Sequence, residues 1–127
     1  MTENGIASKI VDASYKIHTT LGPGLFESGY ETVLSHELRK RGMAVLRQQG
    51  IPLVYDEIKF DEGFRADIIV ENKVIVELKS VDMVAPVHKK RLLTYLRLAD
   101  KKLGLLINFG EALIKDGISR IVNRLPE

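Results

Sequence analysis

Ile6, Ile10, Ala13, Ile17 and Leu21 recur at every third or fourth position, with Lys9, Asp12 and Lys16 among the polar residues between them. That period predicts an amphipathic first helix, capped by Thr2 or Asn4 and stopped by Gly22-Pro23-Gly24. A second helix is predicted over residues 26–41, with Gly42 as the residue beyond its C-terminus. Glu27, Tyr30, Leu34 and Leu38 fall on one stripe of it, which sets a carboxylate among core residues. The plainer alternative for Glu27 is a half-exposed acid that benefits from the positive end of the helix dipole. From 45 to 55 the chain reads as extended, and Gly50 and Pro52 mark a bulge or an edge position. Asp56-Glu57 is the turn into a short strand at 58–60, and Asp61-Glu62-Gly63 a further turn.

Residues 65–70 and 74–79 are rich in Ile and Val and predict two strands joined by the polar turn Glu71-Asn72-Lys73. Pro86 suits the first turn of a third helix running to about residue 99, with Leu92, Leu93, Tyr95, Leu96 and Leu98 on its apolar side. The near-continuous apolar run 103–109 predicts a buried strand. Leu113-Ile114 and residues 118–122 flank Lys115-Asp116-Gly117, a hairpin signal. The order is helix, helix, strand, strand, strand, helix, strand, hairpin. It predicts an α/β (α+β) fold in which the strand-helix-strand crossover makes two strands parallel.

Length and composition narrow the picture only a little. The 127 residues suffice for one domain, 1–127, with one core. A net charge of +2 permits a polyanionic partner without requiring one. With no cysteine, disulfides and thiolate-held metals are excluded. No secretion signal or membrane-spanning run is visible, so the expected location is cytoplasmic, with no membrane partner.

Charge enters the apolar ribbon at three points: Asp67, Glu77 and Lys79. Glu77 and Lys79 share a strand face with Ile75. Burying such groups unpaired costs several kcal/mol, so they are expected to partner one another and a divalent cation. The alternative is a structural ion-pair network at a sheet edge. Asp67 faces Glu77 only if Val70 pairs with Val74, which leaves a three-residue loop. A two-residue turn would turn Asp67 to the other side, so an odd-length loop or a compensating bulge is expected. Asp67 and Glu77, with the Leu78 carbonyl, form an all-oxygen donor set suited to Mg²⁺ or Mn²⁺. His88, Lys89, Lys90 and Arg91 open the third helix; they are either a solvated face or a phosphate-facing surface. His18 and His36 read as packing or surface residues.

Asp67, a spacer, then Glu77-x-Lys79 resembles the signature of the PD-(D/E)XK nuclease superfamily. Gly24, Glu27 and Tyr30 match the G-x-x-E-x-x-Y pattern that names a small prokaryotic family within it. The resemblance continues through LRKRG at 38–42, the region around Pro52 to Tyr55, RAD at 65–67, VELKS at 76–80, Tyr95-Leu96 and GLLINFG at 104–110. It implies a restriction-endonuclease-like αβββαβ core, a mixed sheet flanked by helices, with one extra N-terminal helix and a C-terminal hairpin. It implies that Glu27 completes a catalytic set with Asp67, Glu77 and Lys79, holding metal through water or taking a second ion. Tyr30 and Tyr95 are expected to support the site, Tyr30 with its hydroxyl near Glu27. The implied activity is Mg²⁺- or Mn²⁺-dependent phosphodiester hydrolysis, on DNA before RNA. One position departs: arginine, Arg91, stands where related nucleases often carry glutamine. Arg91 then either grips a phosphate or pairs with Glu77 in competition with metal. The other readings are a silent nuclease-fold module that binds nucleic acid or a protein, and a homodimerising structural subunit.

Overall fold

The computed structural model describes residues 1–126, the side chain of Glu62 excepted. Helix α1 spans Glu3–Leu21; the Thr2 hydroxyl accepts a hydrogen bond from the Gly5 amide, which makes Thr2 the cap. Helix α2 spans Glu27–Lys40. Strands β1 (Val45–Tyr55), β2 (Ile58–Val70) and β3 (Val74–Lys79) follow, then α3 (Pro86–Ala99), β4 (Leu103–Asn108), a 3-10 turn at Ile114–Gly117 and β5 (Ile118–Val122). The five strands lie in chain order, all neighbours antiparallel except β3 and β4, which run parallel across the α3 crossover. Among the described residues no helix is long and apolar enough to cross a membrane.

Alternation along β3 divides the core. Val74, Val76 and Leu78 pack on one side with Ile6, Ile10, Ile17, Tyr30, Leu34 and Leu38 from α1 and α2. Ile75 packs on the other with Leu92 and Leu96 of α3. Leu98, expected on the apolar side of α3, is exposed instead. Since Glu77 and Lys79 share the parity of Ile75, the fold presents them on the α3 side of the sheet.

The β2–β3 loop has the odd length that parity demands. Val70 pairs with Val74 and Ile68 with Val76, while Glu71 and Asn72 both adopt positive φ. Two turn readings are corrected. Asp61-Glu62-Gly63 does not end a strand; β2 runs straight through it. Pairing resumes from Ile51–Phe64 to Leu53–Phe60, so Pro52 alone faces three residues of β2. This is a bulge, opposite a residue with no amide to donate. Gly63 is required there: a Cβ would stand 2.8 Å from the Ile51 carbonyl oxygen. At the C-terminus an antiparallel pair forms, but its first arm is β4. Leu113-Ile114 does not supply it, and Lys115-Asp116-Gly117 lies in the 3-10 turn.

Candidate active site

The β2–β3 ladder ends at Ile68 and Val76, one step short of Asp67 and Glu77. Beyond it the two side chains take over the bonding. The Leu78 amide donates to Asp67 Oδ2 at 2.9 Å, and the Asp67 amide donates to Glu77 Oε1 at 3.3 Å. The carboxylates therefore face each other across a fork between the strands. Leu78 directs its amide toward β2, whereas the Lys79 carbonyl accepts from Phe109 on the β4 side. A residue's amide and carbonyl point the same way in a strand, so the Leu78 carbonyl also faces the fork.

Burial, and next the Asp67 charge, push the Glu77 carboxyl up to about 9. A carboxyl buried beside a second carboxylate favours its protonated form, and a bound cation would reverse that preference. Both ion-type oxygens and an aimed carbonyl oxygen are present, so the donor set fits a hard divalent ion. Among the described residues, no three His, Asp or Glu side chains converge on one point. Glu27, expected to hold metal through water or to take a second ion, lines a cavity with Glu31, Gln48 and Asp67. Glu27 sits at the rim, its side chain 49% exposed, and its carboxylate lies 3.8 Å from the Lys79 ammonium. The inward stripe begins at Tyr30, one turn later.

The local structure explains how Glu27 gets there. Gly24 adopts φ +117, a conformation that strains residues with a side chain. The Tyr30 hydroxyl donates to the Gly22 carbonyl at 2.6 Å and accepts from the Leu25 amide at 3.2 Å. Its ring stacks on Phe109 with centroids 4.4 Å apart. Tyr30 thus moors the loop that starts α2, its hydroxyl bonded two residues before Glu27.

On the facing side, a cavity is lined by Glu77, Lys79, His88, Arg91, Tyr95 and Leu106. His88 and Arg91 are one helical turn apart and reach it together. Lys89 and Lys90 do not line it and are exposed. Burial, then the Lys79 and Arg91 charges, hold His88 below the ordinary imidazole range. Burial and the Glu77 charge push the Tyr95 phenol up, and its ring stacks on Phe64 at 3.7 Å. Among the described residues Arg91 forms no ion pair within 4 Å; the alternative of an Arg91–Glu77 bridge is not the arrangement seen.

Two residues were not anticipated. Glu31, buried on α2, accepts from Arg47 and from Gln48 Nε2, and the same Nε2 lies 3.3 Å from Asp67 Oδ1. Gln48 holds φ +49 inside β1, a conformation costly for its residue type. The chain Glu31–Gln48–Asp67 orients the Asp67 carboxylate from α2. Gln48→Leu is expected to weaken Mn²⁺ affinity about tenfold or more, as loss of a ligand's supporting bond does, while Tm barely moves. Titration of Mn²⁺ by calorimetry checks this; unchanged affinity refutes an orienting role.

A protein-family model described as the PD-(D/E)XK nuclease superfamily matches residues 4–121. No curated protein and no solved structure matches the chain. The matched span takes in the fork, Lys79 and all of α2 and α3, and the chain has the element order and single parallel crossover expected of that fold. The chain belongs to the PD-(D/E)XK nuclease superfamily.

Proposed function

We propose that this protein is a metal-dependent nuclease that hydrolyses phosphodiester bonds of DNA, with RNA as the second substrate class. The observation that carries the reading is the fork itself: two opposed carboxylates, the Asp67 amide donating to Glu77 and the Leu78 amide to Asp67, with an ammonium on the same strand face. Asp67, Glu77 and the Leu78 carbonyl would hold Mg²⁺ or Mn²⁺. Such an ion, when bound, supplies charge relief to phosphoryl oxygens and makes water more acidic. Lys79 then orients the attacking water and offsets charge that develops on the phosphorus oxygens. Glu27 pairs with the Lys79 ammonium at 3.8 Å and holds that side chain at the rim. Arg91, free of a carboxylate partner among the described residues, presents a fork of donors to a phosphate, and His88 adds a donor beside it. The Gly24–Glu27–Tyr30 arrangement supports the narrower GxxExxY resemblance.

The silent binding module is the second reading, and Arg91 at the usual glutamine position favours it. A cleavage assay separates the two. The wild-type protein is expected to cut labelled DNA with Mn²⁺ or Mg²⁺ and to stop with chelator. Lys79→Ala is expected to lower the rate by about 100-fold or more. Metal-independent, salt-sensitive binding without cleavage would instead establish the silent module.

A further inference from the structure

Phe26 and Met83 are the most exposed large apolar side chains among the described residues, at 87% and 83%. They stand on different segments, Phe26 just before α2 and Met83 between β3 and α3. The Ser80 hydroxyl joins the two segments, donating to the Leu25 carbonyl at 2.6 Å. Phe26 directly precedes Glu27 and Met83 follows Lys79 by four residues, so both sit on segments that continue from the Glu27–Lys79 pair. Val81 and Val87, on the same connection into α3, are also exposed.

Neither packing nor capping accounts for these side chains. Phe26 occupies the N-cap of α2 and makes no side-chain capping bond, at a position where Ser, Thr, Asp or Asn is ordinarily used. Nor are the segments frayed. Tyr30 ties down the Gly22 carbonyl and the Leu25 amide, and Asn108 binds both the amide and the carbonyl of Val81. Apolar groups held into water on anchored backbone are a presented surface.

The neighbouring charges indicate what covers it. Lys79, His88 and Arg91 line the adjacent cavity, and Lys89 and Lys90 are exposed on the same helix. A ligand spanning both surfaces carries anionic groups beside flat apolar ones. A nucleic-acid strand with unstacked bases has that composition, whereas an intact duplex buries its base faces. We infer that Phe26 and Met83 form a base-stacking subsite at the rim of the active site, and that the substrate is single-stranded or locally unpaired. The inference rests on the nuclease reading above.

The chain has no tryptophan, so Phe26→Trp installs a single indole fluorophore at the subsite. The probes are a labelled single strand and the same strand annealed to its complement, with Ca²⁺ in place of Mg²⁺ to hold off cleavage. Single strand is expected to quench the indole emission of this variant with the midpoint seen by anisotropy, and duplex to quench it little. Phe26→Ala and Met83→Ala are each expected to weaken single-strand binding about tenfold. The salt dependence should stay unchanged, because stacking releases no counterions. Binding of single strand by Phe26→Trp with its emission unquenched, or equal losses on both probes in the alanine variants, overturns the subsite and leaves the nuclease reading standing. Self-association or vesicle binding abolished by Phe26→Ala also overturns it, by giving the rim a different occupant. If the wild-type protein retains neither probe, both readings fall.

Discussion

Metal-free protein is expected to lose stability steadily as the pH rises from about 5 to about 9, and Glu77→Gln to remove most of that decline. Burial and the nearby Asp67 charge raise the Glu77 carboxyl from 4.5 to about 9 in the folded chain. Between those values the folded protein binds a proton that the unfolded chain has released. The unfolded state therefore gains on the folded one with each step up in pH, and the penalty is complete only above the folded value. Glutamine keeps the shape and accepts the Asp67 amide in the same way, but has no proton to hold. At about 1.4 kcal/mol per tenfold change in proton affinity, discounted for partial solvent screening, the variant should be more stable by ~3 kcal/mol at pH 8. For a domain of this size that is on the order of 10 °C in Tm. Urea denaturation with chelator across the pH series checks it; parallel pH curves for the two proteins would sink the account.

Metal supplies the other half of the same prediction. On the proposed reading, a divalent ion held between Asp67 and Glu77 would take the place of the proton on Glu77. Mn²⁺ should raise the wild-type Tm more at pH 8 than at pH 6, because fewer protons compete at the higher pH. Glu77→Gln should show little Mn²⁺ stabilisation at either pH and no cleavage. A stabilised but inactive variant is the signature of a carboxylate kept for chemistry at the expense of folding. A structural ion-pair network predicts the reverse, since removing one partner of such a network destabilises.

The helices were legible because their apolar residues keep a 3.6 period, and Thr2 and Pro86 mark two starts by local chemistry alone. Parity made the fork legible: once Asp67 and Glu77 must meet, only an odd loop serves, and Glu71–Lys73 supplies it. The two misread turns share a cause. Asp61, Gly63, Asp116 and Gly117 are residue types that suit a turn, a bulge or a 3-10 segment equally, and long-range packing decides among them. The Gly63 backbone must fit against Ile51, and that of Gly117 against Asn108. Neither neighbour can be known before the sheet is assembled.

The Glu31–Gln48–Asp67 chain was illegible for a related reason. Gln48 reaches its partners from a backbone conformation that propensity argues against. Two signals pointed that way without being used: Glu31 lies four residues after Glu27 on the same helix face, and Arg47-Gln48-Gln49 breaks the apolar run of β1 with three long polar side chains. Glu27 shows the opposite limit. The stripe placed it on the inward face, but the first turn of a helix can project past the sheet edge, and there the carboxylate meets Lys79 at 3.8 Å.

Asn108→Asp is expected to cost about 3 kcal/mol or more, although it changes only one side-chain atom. Asn108 is fully buried at the end of β4 and makes three bonds. Its Oδ1 accepts from the Val81 and Gly110 amides, each at 3.0 Å, and its Nδ2 donates to the Val81 carbonyl at 2.8 Å. Aspartate sets an oxygen against that carbonyl oxygen and buries a charge in place of a neutral amide. The clamp matters because Val81 is two residues from Lys79, and the Lys79 carbonyl is itself held by the Phe109 amide at 2.9 Å. Loosening Val81 frees the backbone that aims the ammonium. Tm should fall by on the order of 10 °C. At temperatures where the variant is still folded, amide exchange should rise across residues 80–84, and cleavage and single-strand affinity should both drop, because Met83 lies on the freed segment. Wild-type stability and exchange in Asn108→Asp would show that the clamp does not hold this segment, and that Lys79 is positioned by the strand alone.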